Sequence, residues 1–268
     1  MKEATAEESE SAVSPDRQAL HVAAQTAMLF DGMPGFAYVV KDAAGRYVAF
    51  NQSILQRVKA RWPDDIRGLT AAQIWPEALA QRYVAQDRWL LARRLPIIDQ
   101  IDPILYNHGE TGWCKTCKYP LLDRDGQMLG ILCLSHDLPD ASRHGLITHQ
   151  LAGVLDRISM HFDEKLQIAD LASQAGLGLE QFALRVRKIF GISPAELILR
   201  NRIRSACALL RRGDDTLSDI AQQCGFYDHS QFSRQFRRMI GVNPSHYRKW
   251  LQTQSEPTWV SWEPRWPN

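Results

Sequence analysis

Apolar and polar positions change rhythm near residue 140 of this 268-residue chain. Before that point, apolar runs alternate with Gly, Asp and Pro; after it, apolar residues recur at helical spacing alone. Residues 36–40 and 47–50 are apolar runs around a turn containing Asp42 and Gly45, which predicts a β-hairpin. Leu20, Ala24, Ala27 and Met28 suit a short helix over 20–31. Leu79, Tyr83, Gln86, Leu90 and Leu91 keep a 3–4 spacing, which predicts one long helix over 77–94 after the boundary Trp75-Pro76. Residues 97–106, 112–122 and 127–137 then have the length of long strands, the last two joined by the turn Asp123-Arg124-Asp125-Gly126. Two strands, helices and three more strands make an α+β domain with an antiparallel sheet, over 20–140. Residues 1–19 are Glu/Ser/Ala-rich without apolar periodicity and are expected to be a disordered arm. Pro139, Asp140, Ser142 and Gly145 mark the domain boundary at 138–146.

The helical half, 146–250, repeats itself. Ile168, Leu171, Ala172, Ala175 and Gly176 recur as Leu217, Ile220, Ala221, Cys224 and Gly225, an offset of 49. Phe182, Gly191 and Pro194 recur as Phe232, Gly241 and Pro244, an offset of 50. Each copy reads as a short helix, a turn at glycine and a second helix. A small residue in the first helix lets the second cross closely. Any αα corner imitates one such match, but two in tandem predict an all-α domain with two helix-turn-helix units. Ser193-Pro194-Ala195-Glu196 predicts a capping box on a linker helix running to about Arg211. Asn243 is the expected cap of the final helix, and Asp228, with Gln231 three residues on, that of the second recognition helix. A linker of ~17 residues spans ~25 Å and would hold the units near the ~34 Å of one DNA turn.

Charge sharpens this picture. The net charge is only +2, yet residues 143–250 carry 16 Lys+Arg against 10 Asp+Glu, and residues 1–142 carry 15 against 18. The basic half alone is suited to a polyanion. The longest apolar run is about six residues, around 129–134, against the ~18 a membrane span needs. The polar, acidic N-terminus offers no apolar core for a signal peptide. Five irregularly spaced cysteines suit a reducing cytosol. The expectation is a cytoplasmic protein without membrane contact. There is no P-loop, no G-x-S-x-G, no H-E-x-x-H and no coherent Ser/His/Asp or carboxylate pair, so no enzyme is expected.

Asp219-Ile220-Ala221, Cys224-Gly225-Phe226, Ser230, Phe232-Ser233-Arg234, Phe236-Arg237-Arg238, Gly241, Pro244 and Tyr247-Arg248 are the residues on which 150–250 resembles the DNA-binding domain of AraC/XylS-family transcriptional regulators. Met33-Pro34-Gly35, Lys41-Asp42, Gly45-Arg46-Tyr47, Asn51, Gly112-Trp113, Lys118, Pro120, Leu121, Asp125-Gly126 and Asp137 follow one another as in a PAS domain, which 30–138 resembles. The resemblances imply a regulator that binds double-stranded promoter DNA through tandem helix-turn-helix motifs under a PAS-like sensory domain. They also imply a homodimer, RNA polymerase as a partner and a small-molecule effector in the PAS-like domain. The alternatives are a PAS-like domain that serves only interaction or dimerisation, or one that is a cysteine-based redox sensor.

The second recognition helix, 228–239, presents His229, Ser230, Gln231, Ser233 and Arg234, with Arg237 and Arg238 nearer the phosphates. Arg bonds bidentate to guanine and Gln to adenine. The first, 179–190, offers Glu180, Gln181, Ala183, Arg187 and Lys188. Here Gly178 stands where the family usually has a Ser or Thr cap, Leu184 where an Arg commonly points at DNA, and Val186 where a core Phe is usual. Specificity is therefore expected from the second unit, with Leu184 limited to apolar contact and its truncation changing affinity little.

In the N-terminal half, Cys114 and Cys117 lie three apart in a predicted strand and face opposite sides, so they share no tetrahedral metal or easy disulfide. Closing the strand on 123–126 sets Cys133 opposite Thr116, on the face of Cys114. Packing is the preferred reading of these thiols and of Cys224. The helix 77–94 carries no His for a haem of the kind PAS relatives hold; His108 and His136 are the histidines in or beside the strands. Residues 52–96 carry no cysteine for flavin photochemistry. No cofactor and no metal are expected. Tyr38, Phe50, Trp75, Tyr83 and Trp113 are the candidate lining of a ligand cleft, plain core being the alternative. Trp259, Trp262 and Trp266 make 251–268 a Trp-rich tail that folds back, meets a partner or is a functionless terminus.

Overall fold

A computed structural model describes residues 15–105, 111–123 and 125–253. His108 and the three tail tryptophans lie outside them. The first helix, α1 (Pro15–Leu29), begins within the segment expected to be a disordered arm; proline suits a first helical turn, where its missing N–H costs nothing. Strands β1 (Phe36–Asp42) and β2 (Tyr47–Phe50) form the predicted hairpin. Then come α2 (Gln52–Val58), a 3-10 turn (Pro63–Asp65), α3 (Ala71–Ile74) and the long α4 (Glu77–Arg93). Strands β3 (Ile97–Leu105), β4 (Thr111–Leu122) and β5 (Met128–Asp137) complete an antiparallel sheet of order β2-β1-β5-β4-β3.

Strand β1 is buried on both faces, and its alternation sorts the layers. Tyr38 and Val40 meet Ala23 and Ala27 of α1 on one side, while Ala37 and Val39 join Tyr47, Ile54, Leu55 and Ile66 on the other. One expected register differs. The hairpin closes one residue later than expected, the Asp123 N–H donating to the Gln127 carbonyl, and a bulge at Leu129 of β5 adds a second step, so Thr116 faces Ser135 and Cys133 faces Lys118. Each inserted residue displaces every later pair along the ladder by one.

After α5 (Pro139–Arg143), α6 (His149–Met160) leads into two matching helix pairs. These are α7 (Ile168–Gln174) with α8 (Leu179–Phe190), and α10 (Leu217–Gln223) with α11 (His229–Ile240). Helix α9 (Pro194–Arg212) joins them and α12 (Pro244–Thr253) closes the domain. The turn glycines behave as the repeat requires: Gly176 has φ +67° and Gly225 φ +74°. At Gly225 a Cβ would also stand 2.7 Å from the Asp163 carbonyl oxygen, so no other residue fits.

The two domains share their cores. Ile101 of β3 is buried in the cluster built by Leu151, Leu155 and Ile158 of α6 and by Phe182 of α8. Leu95 belongs to the cluster of Phe162, Ile203, Phe232 and Phe236, and Trp89 of α4 meets Phe162 edge-on at 6.3 Å.

Candidate nucleic-acid interface

Helix α11 buries Phe232, Phe236 and Met239 at 3–4 spacing, which turns the intervening positions outward. His229, Ser230, Arg234, Arg237 and Arg238 are exposed, while Gln231 and Ser233 are half-buried. The Asp228 carboxylate caps the helix, accepting from the Gln231 N–H at 2.6 Å. Gln231 answers by accepting from the Tyr227 N–H through its side-chain oxygen at 2.9 Å. That oxygen is half of the pair a glutamine offers to adenine, and in the free protein it serves as a cap. Ser233 Oγ lies 3.5 Å from His229 Nε2. Tyr227, which the sequence pattern did not single out, is 92% exposed at the mouth of this helix. An aromatic beside the cap was the available signal.

Helix α8 turns Phe182 and Val186 inward and leaves Glu180, Gln181, Leu184, Arg187 and Lys188 exposed, with Ala183 half-buried. Its N-cap, Gly178, supplies no side-chain bond. The neighbouring Arg185 instead reaches back to the Leu146 carbonyl at 3.1 Å. On α9 half of the expected box forms: Ser193 Oγ accepts from the Glu196 N–H at 3.3 Å, while the Glu196 carboxylate pairs with Arg200 at 2.8 Å.

The five aromatics expected to line a cleft do not converge. Phe50, Trp75 and Tyr83 gather around Tyr47, whose hydroxyl accepts from Trp75 Nε1 at 2.8 Å. Tyr38 lies on the other sheet face, its hydroxyl donating to the Ala23 carbonyl at 3.1 Å. Trp113 packs on the second domain, 5.3 Å from the His149 ring. Strand alternation separates Tyr38 from the others, and position beside the domain boundary removes Trp113.

Beside the aromatic group lies an ionic cluster. Lys41 and Lys118, each 3% exposed, flank the Asp87 carboxylate at 2.5 and 2.6 Å. Burial opposes the Asp87 charge, yet Lys118 and Lys41 together hold its pKa below the usual carboxylate value. Burial pushes the Cys114 thiol up to about 12 and raises Cys117 and Cys133 as well. These cysteines are free and held as thiols, not thiolates.

A second polar cluster bridges the domains. Arg82 of α4 binds Asp102 of β3 at 2.8 Å and also Asp156 of α6. Gln100 of β3 reaches Asp156 and accepts from Ser159. Burial raises the Asp156 pKa to about 6 in spite of Arg82. Next to this group Asp99 sits in the β3 bulge with φ +57°, a conformation Asp tolerates better than most residues. Its carboxylate meets Arg204 of α9 at 2.8 Å. Nothing in the local pattern announces the pairs that cross between domains, because their partners lie 56 to 105 residues away.

Comparison with known proteins places both halves. A helix-turn-helix domain model matches residues 171–249, and a PAS fold model matches 30–143. The probable transcriptional regulator LumQ of Photobacterium leiognathi is 36% identical over 95 residues, 35% of this chain and 38% of that protein. A putative AraC-like transcription regulator of Streptomyces lividans is 28% identical over 177 residues, 57% of this chain and 58% of its own length. The chain thus spans less than two thirds of either. The HTH-type transcriptional activator RhaS of Klebsiella pneumoniae is 30% identical over 199 residues, covering 73% of this chain and 69% of that one. The chain belongs to the AraC-type family of DNA-binding transcriptional regulators. In this AraC-type regulator the matched helix-turn-helix segment holds α8 and α11 with the exposed side chains described for them. No helix among its described residues is long and apolar enough to cross a membrane.

Proposed function

We propose that this regulator lays α8 and α11 in successive major grooves of promoter DNA, with α11 reading most of the sequence. Arg234, His229 and Ser230 are its base-facing groups; Arg187, Lys188, Arg237 and Arg238 meet phosphates. Glu180 and Gln181 complete the face of α8. The observation that carries this reading is the cationic last turn of both recognition helices, exposed on the side away from their buried cores. Released counterions make such contacts salt-dependent, with a slope of about −0.9 per phosphate.

The N-terminal domain acts as the regulator of that binding through its grip on α6 and α9. A small-molecule effector would enter among Phe50, Trp75 and Tyr83, displacing packed side chains. The dimerisation reading has its own support, because α1 exposes Val22, Met28 and Leu29. A second copy seated there gives a homodimer with four helix-turn-helix units. Promoter binding makes RNA polymerase the implied protein partner. The redox alternative loses ground, since its thiols are held protonated.

The test is titration of the full-length chain against a random duplex pool at several salt concentrations. The expected log–log slope is about −3 to −4 for four phosphate contacts. Failure to retain any duplex at low salt overturns the reading.

A further inference from the structure

Helix α8 carries its core on Phe182 and Val186, both fully buried. Leu184 lies two residues from each, so the helical step carries it to the opposite side. It is 54% exposed, and Leu179 at the start of the same helix is 55% exposed. Glu180 and Gln181 stand one turn before Leu184, and Arg187 and Lys188 one turn after, all exposed and on its stripe. The internal repeat sets Leu184 on the position of Arg234 in α11. Both helices enter from equivalent glycine turns and end on a left-handed glycine, Gly191 and Gly241. The first unit therefore presents a branched apolar side chain where the second presents a guanidinium.

Two neighbouring cations and a glutamine suit a polyanion at this face, which argues against a purely apolar protein partner. Among the base edges of the major groove, the distinctive apolar group is the C5 methyl of thymine. We propose that Leu184 is a specificity-determining residue of the first unit and packs on a thymine methyl. Gln181 lies beside it, and Arg187 and Lys188 hold the flanking phosphates. This inference rests on the DNA-binding reading and adds the base class that the first unit selects. Leu184 forms no hydrogen bond there, so its share is modest. Losing one buried methyl-sized contact weakens binding about fourfold.

The experiment uses the full-length protein and a duplex recovered from a random pool by repeated selection. Each thymine is replaced in turn by uracil, which removes the methyl and keeps the pairing. At one or two thymines in the half-site of the first unit, uracil should weaken wild-type binding about three- to fivefold. The same ratio should persist in Arg234→Ala and vanish in Leu184→Ala. Reading the ratio within each variant cancels any general loss of affinity. Leu184→Arg should in addition shift the preferred base at that position toward guanine. A uracil effect that survives in Leu184→Ala, or no uracil effect at any thymine, overturns the proposal while leaving DNA binding intact. Recovery of no duplex at all would overturn the DNA-binding reading instead, and this proposal with it.

Discussion

The two helix-turn-helix units share a backbone plan and differ in what holds it. The second is secured by local chemistry. Thr216 and Asp219 close a full capping box on α10, and Asp228 caps α11. Its core packs Phe226, Phe232, Phe236 and Tyr247 tilted or edge-to-face at centroid distances of 5.2 to 5.5 Å. The first unit has no side-chain cap on α7 or α8, where Gln167 and Gly178 occupy the cap positions. Its core has Val186 where the other has Phe236. Its support comes from outside: Ile101 of β3 enters that core, and Arg82 and Gln100 hold Asp156 on the adjoining α6. The N-terminal domain reaches both cores, since Leu95 and Trp89 pack into that of the second unit, but only the second unit also carries its own caps. A change in the N-terminal domain thus has a direct physical route to both units, and the uncapped first unit has less local support against it.

The largest effect that would sharpen this contrast lies in the two cores. Phe236→Ala removes a fully buried ring packed between Phe232 and Tyr247 and should cost about 3–5 kcal/mol. The matching Val186→Ala removes two methyl carbons and should cost about 2 kcal/mol, at ~0.8 per carbon plus a small cavity. Denaturant unfolding of the two variants checks the order. Equal losses would mean that the first unit is as tightly self-packed as the second.

Next in size is the loss of base reading. Arg234→Ala should cost ~1–3 kcal/mol at the preferred base and relax specificity there. Arg238→Ala should weaken all duplexes alike and flatten the salt slope by about one. Titration against the selected duplex and its point variants separates the two. A uniform loss from Arg234→Ala would make it a phosphate contact and leave α11 without its main reader.

Much of this asymmetry is legible in the amino-acid sequence. The repeat, the missing Ser/Thr at Gly178, Leu184 and Val186 are departures at fixed positions, and helical periodicity gives them a face. The α+β order of the N-terminal domain is legible for the same reason, since strands and turns are local signals. The supports of the first unit are not. Arg82 and Gln100 lie on consecutive elements, but Asp156 is 74 and 56 residues away from them, and only the packing of β3 on α6 brings it in. Closure of the turn on Gln127 and the extra residue Leu129 of β5 together move Cys133 from Thr116 to Lys118, and no periodicity reveals either step. The capping bond of Gln231 is hidden for a related reason. Its spacing from Asp228 marks a cap, but only geometry assigns its side-chain oxygen to the Tyr227 N–H.

The smallest effect tests the caps themselves. At Gly178 the backbone has φ −69° and ψ 158°, the extended geometry that serine adopts at an N-cap. An added Cβ would meet nothing within 4 Å, so Gly178→Ser carries no steric cost. Its hydroxyl could accept one of the free N–H groups of the first turn of α8. A cap that replaces glycine gains only a few tenths of a kcal/mol, and a less flexible unfolded chain adds a similar amount. The reverse change, Asp228→Ala, removes a cap bond of 2.6 Å and should cost about 1 kcal/mol. In a chain of this size 1 kcal/mol moves the thermal midpoint by roughly 2–4 °C. Gly178→Ser should therefore raise the midpoint by about 1–3 °C, and Asp228→Ala lower it by about 2–4 °C. If Gly178→Ser leaves the midpoint unchanged while Asp228→Ala lowers it, the start of α8 is already fixed by the burial of Phe182 in its own domain's core.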